Sequence, residues 1–171
     1  MTVPLWLPPL APYVCDGDPD SFEKQLYASY LSCFVEGETR WRGHKIVIKE
    51  EPRDAHGRDW SYRHLTTVGL DPRRKFDRPR AERLPWIKPV LEASAPDVVT
   101  WLQPKGRRVL VALRDFTYLV ILNPLGSGDT AFLVTAYPLN REKKRQEFRA
   151  EYGRTGELIV PVPFVAVTAA K

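Results

Sequence analysis

The side chains best suited to acid–base chemistry on a phosphate ester are concentrated in residues 59–92. This segment contains His64, one of only three histidines in the chain, and an arginine cluster that includes Arg80 and Arg83. An imidazole exchanges a proton near neutral pH, and a guanidinium group can hold a phosphate. We therefore predict that this segment forms one wall of a site that cleaves phosphodiesters, and that later strands form the other wall.

Other interpretations of these residues stay open. His64 could be a packed histidine that is bonded to a main-chain carbonyl, and the arginines could form salt bridges to acids such as Glu82, Glu92 or Asp115. Arg80 and Arg83 are about one helical turn apart, so both could reach one ligand. His56, in the sequence AHGRD, is expected to be a solvated loop residue.

The composition is that of a globular protein with a moderately basic surface. Of 171 residues, 43% are hydrophobic and 11% are aromatic, which is enough for a core and excludes a disordered chain. The net charge of +5 and the pI near 9.3 favour an anionic partner, either nucleic acid or an acidic protein.

Nothing in the sequence predicts a membrane segment or secretion. No apolar run is long enough to span a bilayer, and the proline-broken opening lacks the basic start of a signal peptide. Cys15 and Cys33 have no metal-binding spacing, and Cys33 is expected to be a buried thiol. We expect a reduced, cytosolic protein with no membrane partner.

The first third of the chain predicts an arm, a helix and a hairpin. Residues 1–17 are proline-rich and are expected to form an extended arm ahead of one domain over residues 18–171. A helix is predicted over 19–33, where apolar side chains recur at helical spacing, and core packing is expected for them rather than binding to a partner. A hairpin is predicted over 34–40 and 43–49.

A second helical pattern begins at residue 79 and contains an awkward proline. Pro85 either lies in the first turn of a second helix or kinks a single one. The apolar residues that could share a face are Ala81, Leu84, Ile87, Val90 and Leu91.

The second half of the chain predicts a sheet and a terminal helix. The runs DVVTWLQ, RRVLVALRD, FTYLVILNP and TAFLVTAYPL are β-rich, and their short connections predict sequential antiparallel pairing. LVAL and YLVIL are expected to be covered on both faces. A helix is predicted from about Asn140 to Tyr152, anchored by Phe148 and Tyr152, and the proline-containing tail after it is expected to lie along a sheet edge.

These elements predict an α+β fold, in which N-terminal helices pack on a central antiparallel β-sheet of about four strands and a C-terminal helix follows. Three sequence motifs occur within these predicted elements: SYRHLTT, RPRAERLPWIKPVLE and FLVTAYPL. Together they resemble the phage-associated branch of the barnase–EndoU–colicin–RelE superfamily of small ribonucleases, many of which are toxins. The resemblance covers about residues 34–152.

The resemblance implies a set of catalytic residues. His64 matches the histidine ahead of the sheet, Arg80 and Arg83 match the basic residues of the following helix, and Thr135 and Tyr137 match the pair on the last strand. Thr135 and Tyr137 should share one sheet face, because strand side chains alternate.

Those residue types could cleave RNA without a metal or another cofactor. The 2′-hydroxyl of the substrate is the nucleophile, His64 is the base or the acid, and the arginines hold the phosphate. Tyr137 donates a proton or orients the phosphate, and Thr135 bonds to it. We therefore expect a metal-independent endoribonuclease toxin with RNA as its partner, and a cognate antitoxin or immunity protein as a candidate protein partner.

Two alternative functions from other classes require fewer residues to come together. A non-catalytic nucleic-acid-binding or phage accessory protein would need only the basic surface. An inhibitor or immunity protein would need only a helical surface for another protein. The enzyme alone requires His64, the arginines and the Thr135–Tyr137 pair to converge.

Overall fold

The computed structural model describes residues 4–12, 19–71, 73–94, 96–104, 108–124 and 129–158, which form an α+β fold. The strands are β1 (Arg40–Trp41), β2 (His44–Val47), β3 (Thr67–Val68), β4 (Lys75–Phe76), β5 (Val98–Leu102), β6 (Val109–Leu113), β7 (Tyr118–Pro124) and β8 (Thr130–Pro138). The α-helices are α1 (Pro19–Phe34), α2 (Trp60–Thr66), α3 (Arg78–Ala81), α4 (Ile87–Glu92) and α5 (Glu142–Thr155), and a 3-10 helix, Leu84–Trp86, lies between α3 and α4.

The main sheet is larger than the sequence predicts. The four predicted β-rich runs form β5 to β8, and each pairs with the next in antiparallel fashion, as expected. The prediction of about four antiparallel strands is wrong, however, because β1 and β2 extend the sheet to six strands in the order β1-β2-β8-β7-β6-β5. β2 pairs with β8 in parallel. The long connection between these two strands is what permits parallel pairing.

The predicted first hairpin is present but short. β1 and β2 pair antiparallel through a two-residue turn in which Arg42 and Gly43 both have positive φ, 47° and 90°. Two positive φ angles give a turn whose twist matches that of the strands, and glycine adopts such an angle without steric cost.

The sheet separates two apolar cores. On one face, side chains from α1, α2, α3 and α4 pack against alternate residues of β6 and β7, such as Val111 and Val120. On the other face, α5 packs through Phe148 and Tyr152 against the intervening residues, such as Leu110 and Leu119. β6 is buried along its whole length, so the expected cover on both faces is confirmed.

The predicted helices at both ends of the domain are confirmed within one to three residues. α1 buries Phe22, Leu26 and Tyr30 in the first core, as its helical spacing predicts. Pro85 does not kink one long helix. It lies at the start of the 3-10 helix, which separates α3 from α4. Proline has no backbone N–H to donate, and the first positions of a helix do not need that donor.

Segments near both ends of the described chain pack against or hydrogen-bond to the rest of the domain. Leu7 is buried, and the Ala11 amide donates to the Glu82 carbonyl at 2.8 Å. At the other end, the Leu158 amide donates to the Thr100 carbonyl of edge strand β5 at 2.7 Å. The predictions for Cys15, for the rest of the arm and for the tail beyond residue 158 lie outside the described residues, and Cys33 is half-buried.

The described helices leave no candidate for a membrane span, because none combines enough length with enough apolar character.

Candidate functional site

Helix α2 places His64 in a stack of rings. Trp60 and His64 are four residues apart, so they project from the same side of the helix. Their ring centroids are 3.5 Å apart and the ring planes are inclined by 22°. The Lys49 Nζ lies 4.8 Å from the centroid of the Trp60 ring. The imidazole is therefore held in a fixed orientation against the indole.

The β3–β4 hairpin folds back over this stack and brings Arg74 to His64. The Arg74 Nη1 lies 3.3 Å from the His64 Nε2. The same guanidinium donates to the Thr67 Oγ1 at 2.7 Å, to the Thr67 carbonyl at 3.0 Å and to the Gly69 carbonyl at 2.8 Å. All of these partners are neutral, and Arg74 has no carboxylate within ion-pair distance in the described parts of the chain. It is a fixed cation whose charge is available to an anion.

This contact determines which nitrogen of His64 carries the proton. A guanidinium only donates, so the Nε2 accepts and the proton of the neutral imidazole is on Nδ1. The Nδ1 is buried and has no hydrogen-bond partner among the described residues. Burial and then the charge of Arg74 lower the pKa of His64, while Asp71 and the main chain of Trp60 raise it. The imidazole is therefore neutral at neutral pH.

Arg80 joins α2 to the last strand. The Asp77 side chain caps α3 by accepting from the Arg80 amide at 3.2 Å. The Arg80 Nη1 donates to the carbonyls of His64 and Thr67, both at 3.3 Å. Its Cζ lies 5.0 Å from the centre of the Tyr137 ring. One guanidinium thus contacts the segment of His64 and the tyrosine of β8.

Arg83 points elsewhere. Its Nη1 donates to the Pro79 carbonyl at 2.8 Å, and its Cζ lies 5.2 Å from the centre of the Trp86 ring. No contact joins it to His64 or Tyr137 in the described parts of the chain. α3 ends at Ala81, so the helical spacing that would align Arg83 with Arg80 does not continue.

Tyr137 lies half-buried on β8. Burial raises its pKa above the usual value, against the opposing charges of Lys144, Arg80 and Arg108, so the phenol keeps its proton at neutral pH. Thr135 is two residues earlier and half-buried, and its hydroxyl has no hydrogen bond among the described residues. A β-bulge at Val134 precedes both, and the Ala136 between them packs in the opposite core.

The sequence interpretation missed Arg74 and Trp60. The run DPRRKFD identifies a basic turn, but it does not indicate which of its cations folds back onto α2. Trp60 could have been found from its four-residue spacing to His64, had residues 60–66 been recognised as helix.

The weaker candidates lie away from this cluster. His56 is exposed and lines a separate cavity with Asp20 and Lys24. The Asp115 carboxylate accepts from the amide and hydroxyl of Thr117, at 3.0 and 2.7 Å, and so caps the turn before β7. It does not orient an arginine through its carboxylate in the described structure.

No group of three histidine, cysteine, aspartate or glutamate residues with the geometry of a metal site occurs among the described residues. The candidate groups are an imidazole with Arg74 beside it and a phenol that Arg80 contacts. The phenol belongs to Tyr137, which packs against the α5 core, whereas α2 packs in the core on the other face of the sheet. Groups of these types can exchange protons and bind an anion.

No family model, curated protein or solved structure matches the chain. The likeness to the barnase–EndoU–colicin–RelE superfamily therefore rests on the three sequence motifs.

Proposed function

We propose that the protein is a metal-independent endoribonuclease that acts through His64, Arg80 and Tyr137, with Arg74 as a second phosphate-binding cation. The observation that carries the proposal is the position of Arg80. Its guanidinium contacts the carbonyl of His64 and the ring of Tyr137, so groups that are 73 positions apart in the chain meet at one cation.

His64 supplies the base. Its lowered pKa leaves the imidazole neutral, and because Nδ1 is buried, Nε2 is the nitrogen that acts on the substrate once it is released from Arg74. A bound phosphate offers Arg74 a charged acceptor, and such hydrogen bonds are about twice as strong as neutral ones. RNA binding should therefore draw the Arg74 Nη1 away from the Nε2, which then takes the proton of the 2′-hydroxyl.

Tyr137 and the arginines supply the rest of the chemistry. The 2′-oxygen attacks phosphorus, the bond to the 5′-oxygen breaks, and the Tyr137 phenol protonates that leaving oxygen. Arg80 and Arg74 offset the charge that develops on the phosphate oxygens. Thr135 donates to the phosphate, whereas Arg83, whose guanidinium lies over the Trp86 ring, takes no part in the site. The product is a 2′,3′-cyclic phosphate.

In a cell, this activity would make the protein a toxin that acts on cytoplasmic RNA, and a cognate antitoxin would be its protein partner. The support is the resemblance to a superfamily rich in toxins. Expression should arrest growth, and His64→Ala should relieve the arrest.

One observation favours a non-catalytic nucleic-acid-binding protein instead. The His64 Nε2 already faces Arg74, so the cluster could hold a phosphate without transferring a proton. Such a protein would bind RNA and leave it intact.

The test is cleavage of RNA by the purified protein in the presence of a chelator. The wild type should leave 2′,3′-cyclic phosphate ends and spare the matching DNA, which lacks the nucleophile. His64→Ala should lose about 10²–10⁴-fold in rate, while His56→Ala, the control at an exposed histidine away from the cluster, should keep full activity. Circular dichroism should show that both variants are folded. Activity that survives His64→Ala, or that stops on chelation, would contradict the mechanism.

A further inference from the structure

A cavity of 220 Å³ opens beside the candidate site, between α1, α2 and the β3–β4 hairpin. Its walls include Glu23 of α1, Asp54 of the following loop, Arg63 of α2, and Arg74 and Phe76 of the hairpin. Of these residues, only Arg74 takes part in the proposed cleavage.

The cavity and the phosphate-binding cluster share a wall. Arg74 lines the cavity and also contacts the Nε2 of His64. Thr67 lines the cavity too, and its carbonyl accepts from Arg80. A group in the cavity would therefore lie next to a phosphate held by these arginines, as a base does beside the phosphate of its own nucleotide.

An aromatic ring borders the cavity. Phe76 is 40% exposed, and the Phe22 ring packs against it edge to face, with centroids 6.4 Å apart. Single-stranded RNA is bound in this way by many proteins, because an exposed aromatic ring next to arginines accepts a base by stacking. Phe76 is thus held from one side and open to a ligand.

The polar lining suits a base as well. Glu23 and Asp54 present carboxylate acceptors, although both also bind Arg58. Arg63 and Arg74 present donors, although Arg63 also pairs with Asp71 and Arg74 also donates to Thr67 and Gly69. A nucleobase carries donors and acceptors on one edge and can use both kinds of partner. The volume is below the roughly 300–1,000 Å³ of sites for drug-sized ligands, which fits a single heterocycle.

We propose that this cavity binds one nucleobase of single-stranded RNA, stacked on Phe76, beside the phosphate held by Arg74 and Arg80. The inference rests on the proposed function, because RNA supplies the base. It adds a specificity subsite to that function, which makes binding and cleavage depend on the identity of one base.

The experiment uses the four uncharged ribonucleosides as probes, so that base binding is separated from phosphate binding. Binding to the full chain is followed by NMR at millimolar nucleoside. At least one nucleoside should bind and shift the amides of Thr66, Thr67 and Phe76. Phe76→Ala should weaken that binding about 5- to 150-fold, which is the usual cost of losing one aromatic stack. Phe76→Tyr should retain it.

Leu70→Ala is the matched control. Leu70 is an apolar residue of the same hairpin, is 86% exposed and does not line the cavity, so this variant should bind nucleosides as the wild type does. Absence of nucleoside binding, or equal binding by Phe76→Ala, would overturn the inference even if RNA is cleaved. Phe76-dependent nucleoside binding without RNA cleavage would contradict the proposed function alone and leave the base site in place.

Discussion

The Nη1 of Arg74 lies 3.3 Å from the Nε2 of His64, although the two residues belong to different elements, a hairpin and a helix. The hairpin returns the chain across α2 and places a permanent cation beside the titratable group of the cluster. Burial and this contact lower the pKa of the imidazole, and the lone pair of its Nε2 faces the guanidinium.

The first prediction concerns the pH dependence of cleavage. Burial and Arg74 lower the pKa of His64, so the active neutral base should persist below the usual value of about 6.5. Arg74→Met removes the charge, and the acid limb of kcat/KM should then move to higher pH. Arg73→Met, at an exposed cation of the same hairpin, is the control and should leave the profile unchanged. An acid limb that does not move in Arg74→Met would show that Arg74 does not lower the pKa of the titrating base.

The second prediction concerns stability. A histidine whose folded pKa is lowered binds protons more readily in the unfolded state, so its contribution to stability is present above about pH 6.5 and is lost as the pH falls through the folded value. His64→Gln should flatten the dependence of the unfolding free energy on pH in that window. Denaturant unfolding across the window measures it, and an unchanged slope would show that His64 titrates normally.

The third prediction separates Arg80 from Arg83. Arg80 contacts the segment of His64 and the ring of Tyr137, whereas Arg83 contacts Pro79 and Trp86. Arg80→Ala should weaken RNA binding and reduce its salt slope by about one. Arg83→Ala should change binding much less. Equal losses measured by fluorescence anisotropy over a salt series would mean that both arginines contact phosphate.

The fourth prediction tests the hydroxyl of Tyr137 apart from its ring. Tyr137→Phe keeps an aromatic ring for Arg80 and removes only the proton donor. RNA binding should be retained while kcat falls about 10²–10⁴-fold, the usual cost of losing a positioned acid. An unchanged kcat would transfer the role of acid to another group.

The fifth prediction concerns the second core. The Nε1 of fully buried Trp101 donates to the Glu151 carboxylate of α5 at 2.8 Å. Glu151→Ala leaves that donor unpaired and should lower the unfolding free energy by about 1–3 kcal/mol. Glu147→Ala, one turn earlier, removes only a surface pair with Lys144 and should have no measurable effect. Equal stability of the two variants would mean that water replaces the carboxylate.

The sequence by itself determined the elements whose signals are local. Helical spacing located α1 and α5, and short turns between apolar runs located β5 to β8 and their antiparallel order, because neighbouring residues alone control these patterns. It also identified His64, Arg80 and Tyr137 as residues suited to one chemistry.

Only the tertiary structure decided which of those residues meet. The parallel pairing of β2 with β8, the return of Arg74 to His64 and the contact of Arg80 with Tyr137 all join distant parts of the chain. Such contacts depend on how the apolar faces pack together and leave no periodic signal in the sequence. Arg83 illustrates the same limit, because the end of α3 at Ala81 turns its side chain toward Trp86, away from the cluster that its spacing predicts.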